Sequence, residues 1–192
     1  MGDALLSFQD AGTINDLPVS EVIYPASWRE AYKNGDLVSR WRAEKPGEFE
    51  EADSGMSGSP DLFAQSCLAY ALSQQGYRST MWYKLALDPV KSKSMERLNA
   101  RQRFISDRVG GARMLALRQM LLDEHLTHIK GEPDLFAWRG TGDDWFFAEA
   151  KDQDTNDGLR FNQVRWMFAA RRILGEKTPF RLYSLRSEPD GD

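Results

Sequence analysis

Two carboxylates and an ammonium group have a spacing in this sequence that would bring them together. Asp134 precedes an aromatic segment that ends at Trp138, and Glu149 and Lys151 lie in a second aromatic segment that starts at Trp145. If Trp138 pairs with Trp145 in an antiparallel hairpin, Asp134 lies opposite Glu149, with Cβ atoms about 5 Å apart. Side chains alternate along a strand, so Lys151 shares the same face.

A divalent cation would explain why two carboxylates face each other. Like charges directly opposite destabilise a sheet, and the cost grows where water is scarce. Mg²⁺ takes hard oxygen ligands, usually one or two carboxylates together with waters and substrate phosphate. A neighbouring lysine would orient an attacking water or help to deprotonate it, and would stabilise a phosphorane-like transition state. The three residues therefore indicate phosphoryl chemistry with Mg²⁺ or Mn²⁺, and a surface salt-bridge cluster is the alternative.

The segments that position these residues form a predicted β-hairpin. Its flanks are Gly131–Trp138 and Trp145–Lys151, and Arg139–Asp144 between them contains Thr-Gly-Asp-Asp, which is typical of a turn. Downstream, the apolar spacing predicts a helix over Asp157–Leu174, and the segment Phe180–Leu185 predicts a closing strand. The candidate residues thus lie on a hairpin that is followed by one helix and one strand.

Upstream of the hairpin, the sequence predicts mostly helices. Ser27 and Glu30 form a capping-box pattern that starts a short helix at Trp28. Residues 1–26 have apolar positions without a clear period, and their structure stays open. The other predicted elements are helical turns over Asp36–Ala43, a helix from Pro60 to about Gln75, a strand over Tyr77–Leu87, and helices over Met95–Val109 and Ala112–Thr127.

Length and composition indicate a globular protein with one main domain. The chain has 192 residues, and Glu44–Pro60 is rich in acidic residues, Gly, Ser and Pro, as linkers are. We therefore divide the chain into an N-terminal extension with an acidic linker, residues 1–58, and a second unit, residues 59–192. Cys67 is the only cysteine, which excludes an intrachain disulfide and a cysteine-based zinc site. It lies in an apolar stretch, so we expect it to be buried.

Nothing in the sequence predicts a membrane span or a secretory signal. No apolar run approaches the roughly 18 residues that a span needs. The first residues also lack the basic region of a signal peptide. We therefore expect a cytoplasmic protein that makes no membrane contact.

Charge is distributed unevenly along the chain. The net charge is −4, and residues 1–61 hold twelve Asp and Glu against five Lys and Arg. Lys91–Gln119 holds eight basic residues against Glu96 and Asp107, so a local basic face is available for a polyanion. Solvated helix surfaces are the alternative explanation for these charges.

The order of the motifs resembles the PD-(D/E)xK nuclease superfamily. Pro133-Asp134 is followed fifteen residues later by Glu149-Ala150-Lys151, and then by a helix that carries Gln163. Within the superfamily the pattern is similar to the VRR-NUC (virus-type replication-repair nuclease) domain, including the domain that ends the Fanconi-associated nuclease. The likeness covers about the last 80 residues. It implies an α/β (α+β) fold of the restriction-endonuclease-like type, an αβββαβ core with a helix on each face of a small mixed sheet, here with an N-terminal helical extension.

The resemblance also implies a role for each residue of the motif. Asp134 and Glu149 would bind Mg²⁺ or Mn²⁺, and the carbonyl of Ala150 would add a ligand. Lys151 would position the attacking water, and Gln163 would brace the site from its helix. The family usually supplies a further acid from an upstream helix, and the corresponding region here lacks its motif. Stand-ins for that acid, with Glu96 favoured, are Asp61, Asp88 and Glu96.

The function expected from the resemblance is that of a metal-dependent endodeoxyribonuclease acting on double-stranded or branched DNA. The residues expected to hold DNA phosphates are Arg97, Arg101, Arg160 and Arg165. The biological context is either a phage or repair nuclease or an interbacterial toxin. A toxin would be delivered into the cytoplasm of a target cell and blocked by a cognate immunity protein. The alternative to an enzyme is a DNA-binding or protein-interaction module that retains the nuclease fold without catalysis.

Overall fold

The structure, a computed structural model, describes residues 6–14, 16–44, 59–81, 83–85, 96–124, 131–175 and 180–188. It contains six strands, β1 to β6, and six helices, α1 to α6, within these ranges. Two 3₁₀ turns, Pro60–Leu62 and Gln153–Thr155, precede α3 and follow β5. In chain order the elements are β1 Ser7–Ile14, β2 Leu17–Tyr24, α1 Trp28–Lys33, α2 Asp36–Glu44, α3 Phe63–Gln74, β3 Arg78–Met81, α4 Glu96–Val109, α5 Gly111–Asp123, β4 Leu135–Trp138, β5 Trp145–Asp152, α6 Phe161–Leu174 and β6 Phe180–Ser187.

All six strands belong to one mixed sheet. Their order is β1-β2-β6-β5-β4-β3. β6 pairs in parallel with both β2 and β5, and the other neighbouring strands are antiparallel. The predicted mixed α/β class is therefore confirmed. No helix in the described ranges has the length and apolar character required to cross a bilayer.

Helices cover both faces of the sheet, which divides the core into two halves. The residues of α1, α2 and α3 pack on one face, with Ala148 and Ala150 of β5. The residues of α4, α5 and α6 pack on the other face, with Phe147 of β5. Because side chains alternate along β5, the strand is apolar on both sides, as expected for a strand at the centre of a three-layer fold. Cys67 of α3 is fully buried in the first half, as predicted.

The predicted hairpin is confirmed, including its register. Trp138 pairs with Trp145 and Leu135 pairs with Ala148. Asp134 is the residue just before this ladder, and continuing the register places it opposite Glu149. The turn between the strands is held by the Arg139 amide, which donates to the carbonyl oxygen of Asp144 at 2.9 Å.

Residues 6–24, for which the sequence predicted no structure, form a hairpin at the edge of the sheet. β1 and β2 are joined by a tight turn in which Asp16 has a φ of 62°. β2 then pairs with β6, and Tyr24 at its end is fully buried. The described residues between 6 and 44 thus share the sheet and the core of the later chain. The predicted boundary at residue 58 lies outside the described residues and stays a prediction.

Several predicted element ends are corrected. The strand after Gly76 spans Arg78–Met81, and Lys84, which was predicted to lie in it, has a φ of 45° that a strand does not allow. The Tyr83 hydroxyl donates to the carbonyl of Pro133 at 2.6 Å. The last helix begins at Phe161 rather than at Asp157. Ser27 makes no capping hydrogen bond, since its own φ of −63° and ψ of −14° are already helical. These differences move the ends of elements and leave their order unchanged.

Candidate functional site

The residues singled out in the sequence converge where β4 begins and β5 ends. Asp134 lies at the start of β4, and its Oδ2 accepts a hydrogen bond from the Ala150 amide at 2.9 Å. Continuing the β4–β5 register places Glu149 opposite Asp134, close enough for the charge of Asp134 to raise the pKa of Glu149. Lys151 and Gln163 both reach Glu149, from β5 and from the first turn of α6. The structure thus brings together all four of these side chains.

The two oxygens of Glu149 have unequal surroundings. The Lys151 ammonium lies 2.7 Å from Oε1, and the Gln163 side-chain amide donates to the same atom. Oε2 is buried and has no hydrogen-bond partner in the described part of the chain. Glu149 as a whole is only 1% exposed. A buried carboxylate oxygen without a donor is costly, so it is the natural contact for a cation.

The orientation of Gln163 is fixed by its own hydrogen bonds. Its Oε1 accepts from the backbone N–H of Arg160 at 2.8 Å, and a backbone N–H can only donate. The side-chain NH₂ group therefore faces Glu149, as the hydrogen bond to that carboxylate requires. The same hydrogen bond caps the start of α6. Gln163 therefore both caps this helix and holds the Glu149 carboxylate.

Burial changes the protonation of both acids. It raises the pKa of Asp134 to about 6, although the Ala150 amide and the charge of Lys151 act in the opposite direction. Burial, and then the charge of Asp134, raise the pKa of Glu149 well above its ordinary value. The pair therefore holds protons more tightly than exposed carboxylates do, unless positive charge is brought to it.

Lys151 remains an ammonium group in this setting. Burial would lower its pKa, but the charges of Glu149, Asp134 and Asp157 raise it overall. Its Nζ also lies 3.3 Å from Oδ2 of Asp157. A lysine with a raised pKa is a poor base, so of the two roles expected from the sequence, orienting a water fits and deprotonating it does not. Asp157 was missed in the sequence because it lies in a segment that was predicted to be helix.

Gln65 of α3 lies where an upstream helix approaches the site. Its Nε2 donates to Oδ1 of Asp134 at 2.7 Å, and its own Oε1 is buried without a hydrogen-bond partner in the described part. The expected acid is thus absent from this position, and an amide is present. Asp61 is exposed in the 3₁₀ turn before α3. Asp88 and the side chain of Glu96 lie outside the described residues.

The donor set fits a hard divalent cation with few protein ligands. Glu149 Oε2 and Gln65 Oε1 are two of the buried oxygens without donors in the described part of the chain. Gln65 donates to Asp134, and the strand register places Glu149 opposite it. The N–H and C=O of one residue point to the same side of an extended strand, so the carbonyl of Ala150 should share the direction of its amide, toward Asp134. Carboxylate, amide and backbone oxygens are the ligands such ions take. No group of three or more His, Cys, Asp or Glu side chains suited to a metal occurs in the described ranges.

The loop before β4 packs tightly against the start of α6. Gly131 has a φ of 116°, and a Cβ atom on it would lie 2.3 Å from the carbonyl oxygen of Asn162. Only glycine fits such an approach without displacement. This contact fixes the distance between the segment that carries Asp134 and the helix that carries Gln163.

The four arginines predicted to hold DNA differ in their surroundings. Arg160, at the start of α6, has a side chain that is 78% exposed. Arg165 forms a salt bridge with Glu124 at 2.9 Å, and Arg101 is partly buried in α4. The side chain of Arg97 lies outside the described residues. Arg160 is thus the most exposed of the three predicted phosphate contacts whose side chains are described, and its backbone N–H binds Gln163.

The site therefore contains two acids, a charged lysine and two oriented amides. One acid and one amide, Glu149 and Gln65, each have a buried oxygen that accepts no hydrogen bond from the described residues. Such a site can bind a cation and place a cationic hydrogen-bond donor beside it. Comparison of the chain with protein-family models, with curated proteins and with solved structures finds no match.

Proposed function

We propose that this protein is a metal-dependent nuclease that hydrolyses phosphodiester bonds in DNA. The observation that carries the proposal is the buried Glu149, whose Oε1 takes two donors while its Oε2 takes none from the described residues. A fold that only needed a salt bridge would distribute the donors over both oxygens. Mg²⁺ or Mn²⁺ between Asp134 and Glu149 would compensate both charges.

The order of the elements supports the resemblance to the VRR-NUC domain. α3, β3, β4, β5, α6 and β6 follow one another in the αβββαβ order expected for PD-(D/E)xK nucleases. α4 and α5 are inserted between β3 and β4. The site then lies at the ends of β4 and β5, between α3 and α6, and this position agrees with the roles inferred for the motif residues.

In the proposed reaction, the protein's own groups orient the reactants and balance charge. A cation bound by the two carboxylates would polarise the scissile phosphate and acidify the attacking water. The Lys151 ammonium donates a hydrogen bond to that water and stabilises the negative charge that develops on phosphorus oxygens. Gln163 and Gln65 hold the two carboxylates in place. Exposed Arg160 attracts the phosphates that flank the cleaved bond.

A plasmid assay tests this proposal. Purified protein with Mn²⁺ or Mg²⁺ should nick or linearise plasmid DNA, and EDTA should stop the reaction. Asp134→Ala or Lys151→Ala should reduce the rate by about 10²-fold or more, since each removes a charge placed at the reacting phosphate. Arg139→Ala, in the hairpin turn, is the matched control and should cleave normally. Cleavage that survives in both site variants would rule out this site.

One observation favours a second candidate, a module that keeps the fold without catalysis. Helix α3, which lies upstream of the motif, contacts Asp134 with an amide, Gln65, and among the described residues it supplies no further acid to the site. Such a protein would bind DNA or a partner protein. Isothermal titration with Mn²⁺ distinguishes the two candidates, because a module should show no binding that depends on Asp134 and Glu149.

The biological setting stays a prediction. An interbacterial toxin with a cognate immunity protein should arrest growth and damage DNA when it is expressed in a host that lacks the inhibitor. A phage or repair nuclease should be tolerated by the same host.

A further inference from the structure

The outward face of α6 carries phenylalanines and arginines in alternation. Phe161, Arg165, Phe168 and Arg172 have the spacing i, i+4, i+7 and i+11, which places them in one line along a helix. We call these four residues the Phe–Arg stripe. Phe161 is 75% exposed and Phe168 is 54% exposed, and in the described part of the chain they are two of the four exposed large hydrophobic residues.

The stripe is positively charged although the chain as a whole is acidic. Phe161–Leu174 contains three arginines and no acidic residue, and Arg160 lies just before it. Glu124, the residue directly after α5, contacts the stripe, 2.9 Å from Arg165 and 3.7 Å from Arg172. This single acid anchors two arginines, and the Arg172 side chain remains 67% exposed.

Aromatic and cationic groups are close enough to act on one ligand. The guanidinium carbon of Arg165 lies 6.0 Å from the centroid of the Phe161 ring. Phe161 and Phe168 are seven residues apart, which is roughly 10 Å along a helix axis. The stripe begins beside the candidate site, because the residue before Phe161 is Arg160, whose amide binds Gln163.

We propose that the Phe–Arg stripe binds a single-stranded stretch of nucleic acid that leads into the candidate site. Unpaired bases stack on Phe161 and Phe168, and phosphates lie near the arginines. Aromatic faces stack on any base, and arginines supply attraction that does not depend on sequence. A duplex hides its base faces and gains only the arginine contacts. The inference rests on the proposed function and deepens it, since it gives the substrate an unpaired strand, as in a flap or a frayed end, next to the cleaved bond.

Binding measured without cleavage tests the stripe separately from the nuclease activity. In EDTA, fluorescence anisotropy compares three probes of roughly 20 nucleotides: oligo(dT), an abasic strand with the same number of phosphates, and a blunt duplex. Phe161→Ala and Phe168→Ala should each weaken oligo(dT) binding by about tenfold. They should leave binding of the abasic strand and of the duplex nearly unchanged. Arg172→Gln should weaken binding of all three probes and reduce the salt dependence by about one ion.

Two further variants keep the result interpretable. Leu115→Ala changes another exposed apolar side chain, 68% exposed on α5, and should bind all probes as the parent does. Phe161→Trp should restore oligo(dT) binding, whereas Phe161→Leu, which is apolar without a π face, should not. The proposal is overturned if the alanine variants bind oligo(dT) as tightly as the parent, or if they lose the same factor on the abasic strand or the duplex. Failure of the plasmid assay alone would refute the nuclease and leave this binding result intact.

Discussion

At Glu149, one carboxylate carries two donors on one oxygen and none on the other. Without a cation, the folded state bears the cost of burying Oε2 next to the charge of Asp134. Positions at which a local rule of stability is broken are the positions expected at functional sites. Burial of Glu149 Oε2 therefore lowers the stability of the metal-free protein, and the same oxygen is the one we propose to bind the cation.

Replacing Glu149 with glutamine should stabilise the metal-free protein while abolishing cleavage. The glutamine oxygen keeps the donors Lys151 and Gln163, and its NH₂ group donates toward Asp134 where two carboxylates met before. We expect a gain of about 1–3 kcal/mol in the free energy of unfolding, the usual size of a hydrogen bond to a charged group. For a chain of this length the melting temperature should rise by roughly 2–4 °C per kcal/mol. Thermal denaturation in EDTA at pH 7.5 measures the change.

The gain should depend on pH in a defined direction. Because burial raises the pKa of Asp134 to about 6, the folded state binds the proton more tightly than the unfolded state, whose carboxyl titrates near its ordinary pKa. Stability of the parent is thus lost as pH rises from about 4 through 6, and acidification recovers it. The difference between variant and parent should shrink toward pH 5. If Glu149→Gln is less stable than the parent at neutral pH, burial of Glu149 Oε2 without a donor does not destabilise the folded protein.

At the scale of the elements, the hairpin could be predicted because its signals are local. Trp138 and Trp145 flank a turn-rich segment, and alternation along each strand fixed which side chains meet. Gln65 could not be found in the same way. One amide in an otherwise ordinary helix carries no signal, and its contact with Asp134 exists only once α3 packs on the sheet. The positions of element ends depended on comparable tertiary contacts, as at Tyr83 and Pro133.

The close approach of Gly131 to α6 gives a prediction at this scale. Gly131→Ala should push the start of α6 away, because its Cβ would lie 2.3 Å from the Asn162 carbonyl oxygen and its φ of 116° disfavours a side chain. We expect a loss of roughly 2–4 kcal/mol in unfolding free energy and a large loss of metal-dependent cleavage. Urea denaturation and the plasmid assay measure these effects.

Gly142→Ala is the matched control for this substitution. It lies in the hairpin turn, where an added Cβ meets nothing within 4 Å. It should leave stability and cleavage near the parent values. If the two alanine variants behave alike, the contact between Gly131 and α6 does not set the geometry of the site.

For the whole molecule, the N-terminal residues are the part that the sequence did not predict. β1 is exposed at almost every position, so it lacks an alternating pattern. β2 pairs with β6, about 160 residues later in the chain, and pairing over such a distance leaves no local signal. The result is a core in which β2, α1 and α2 are packed together with α3.

Deleting residues 1–58 should therefore prevent the remaining chain from folding stably. Among the buried side chains that the deletion removes are six large ones, Val22, Tyr24, Trp28, Tyr32, Leu37 and Trp41. Each contributes about 1.5–3 kcal/mol by burial, so together they match the roughly 5–15 kcal/mol stability of a typical domain. Circular dichroism and size-exclusion chromatography of the 59–192 fragment measure the outcome, with deletion of residues 1–14, which are largely exposed in β1, as a milder control. A fragment 59–192 that melts cooperatively would support the predicted boundary instead.

The strand order has a consequence for how the chain matures during translation. β6 is made after the other five strands, yet it lies in the middle of the sheet, between β2 and β5. Until residue 187 has left the ribosome, the first hairpin has no neighbour to pair with, and the edge of β5 beside the acid pair is open. A nascent chain should therefore lack an assembled site, and the proposed cleavage of DNA should appear only after synthesis has passed β6.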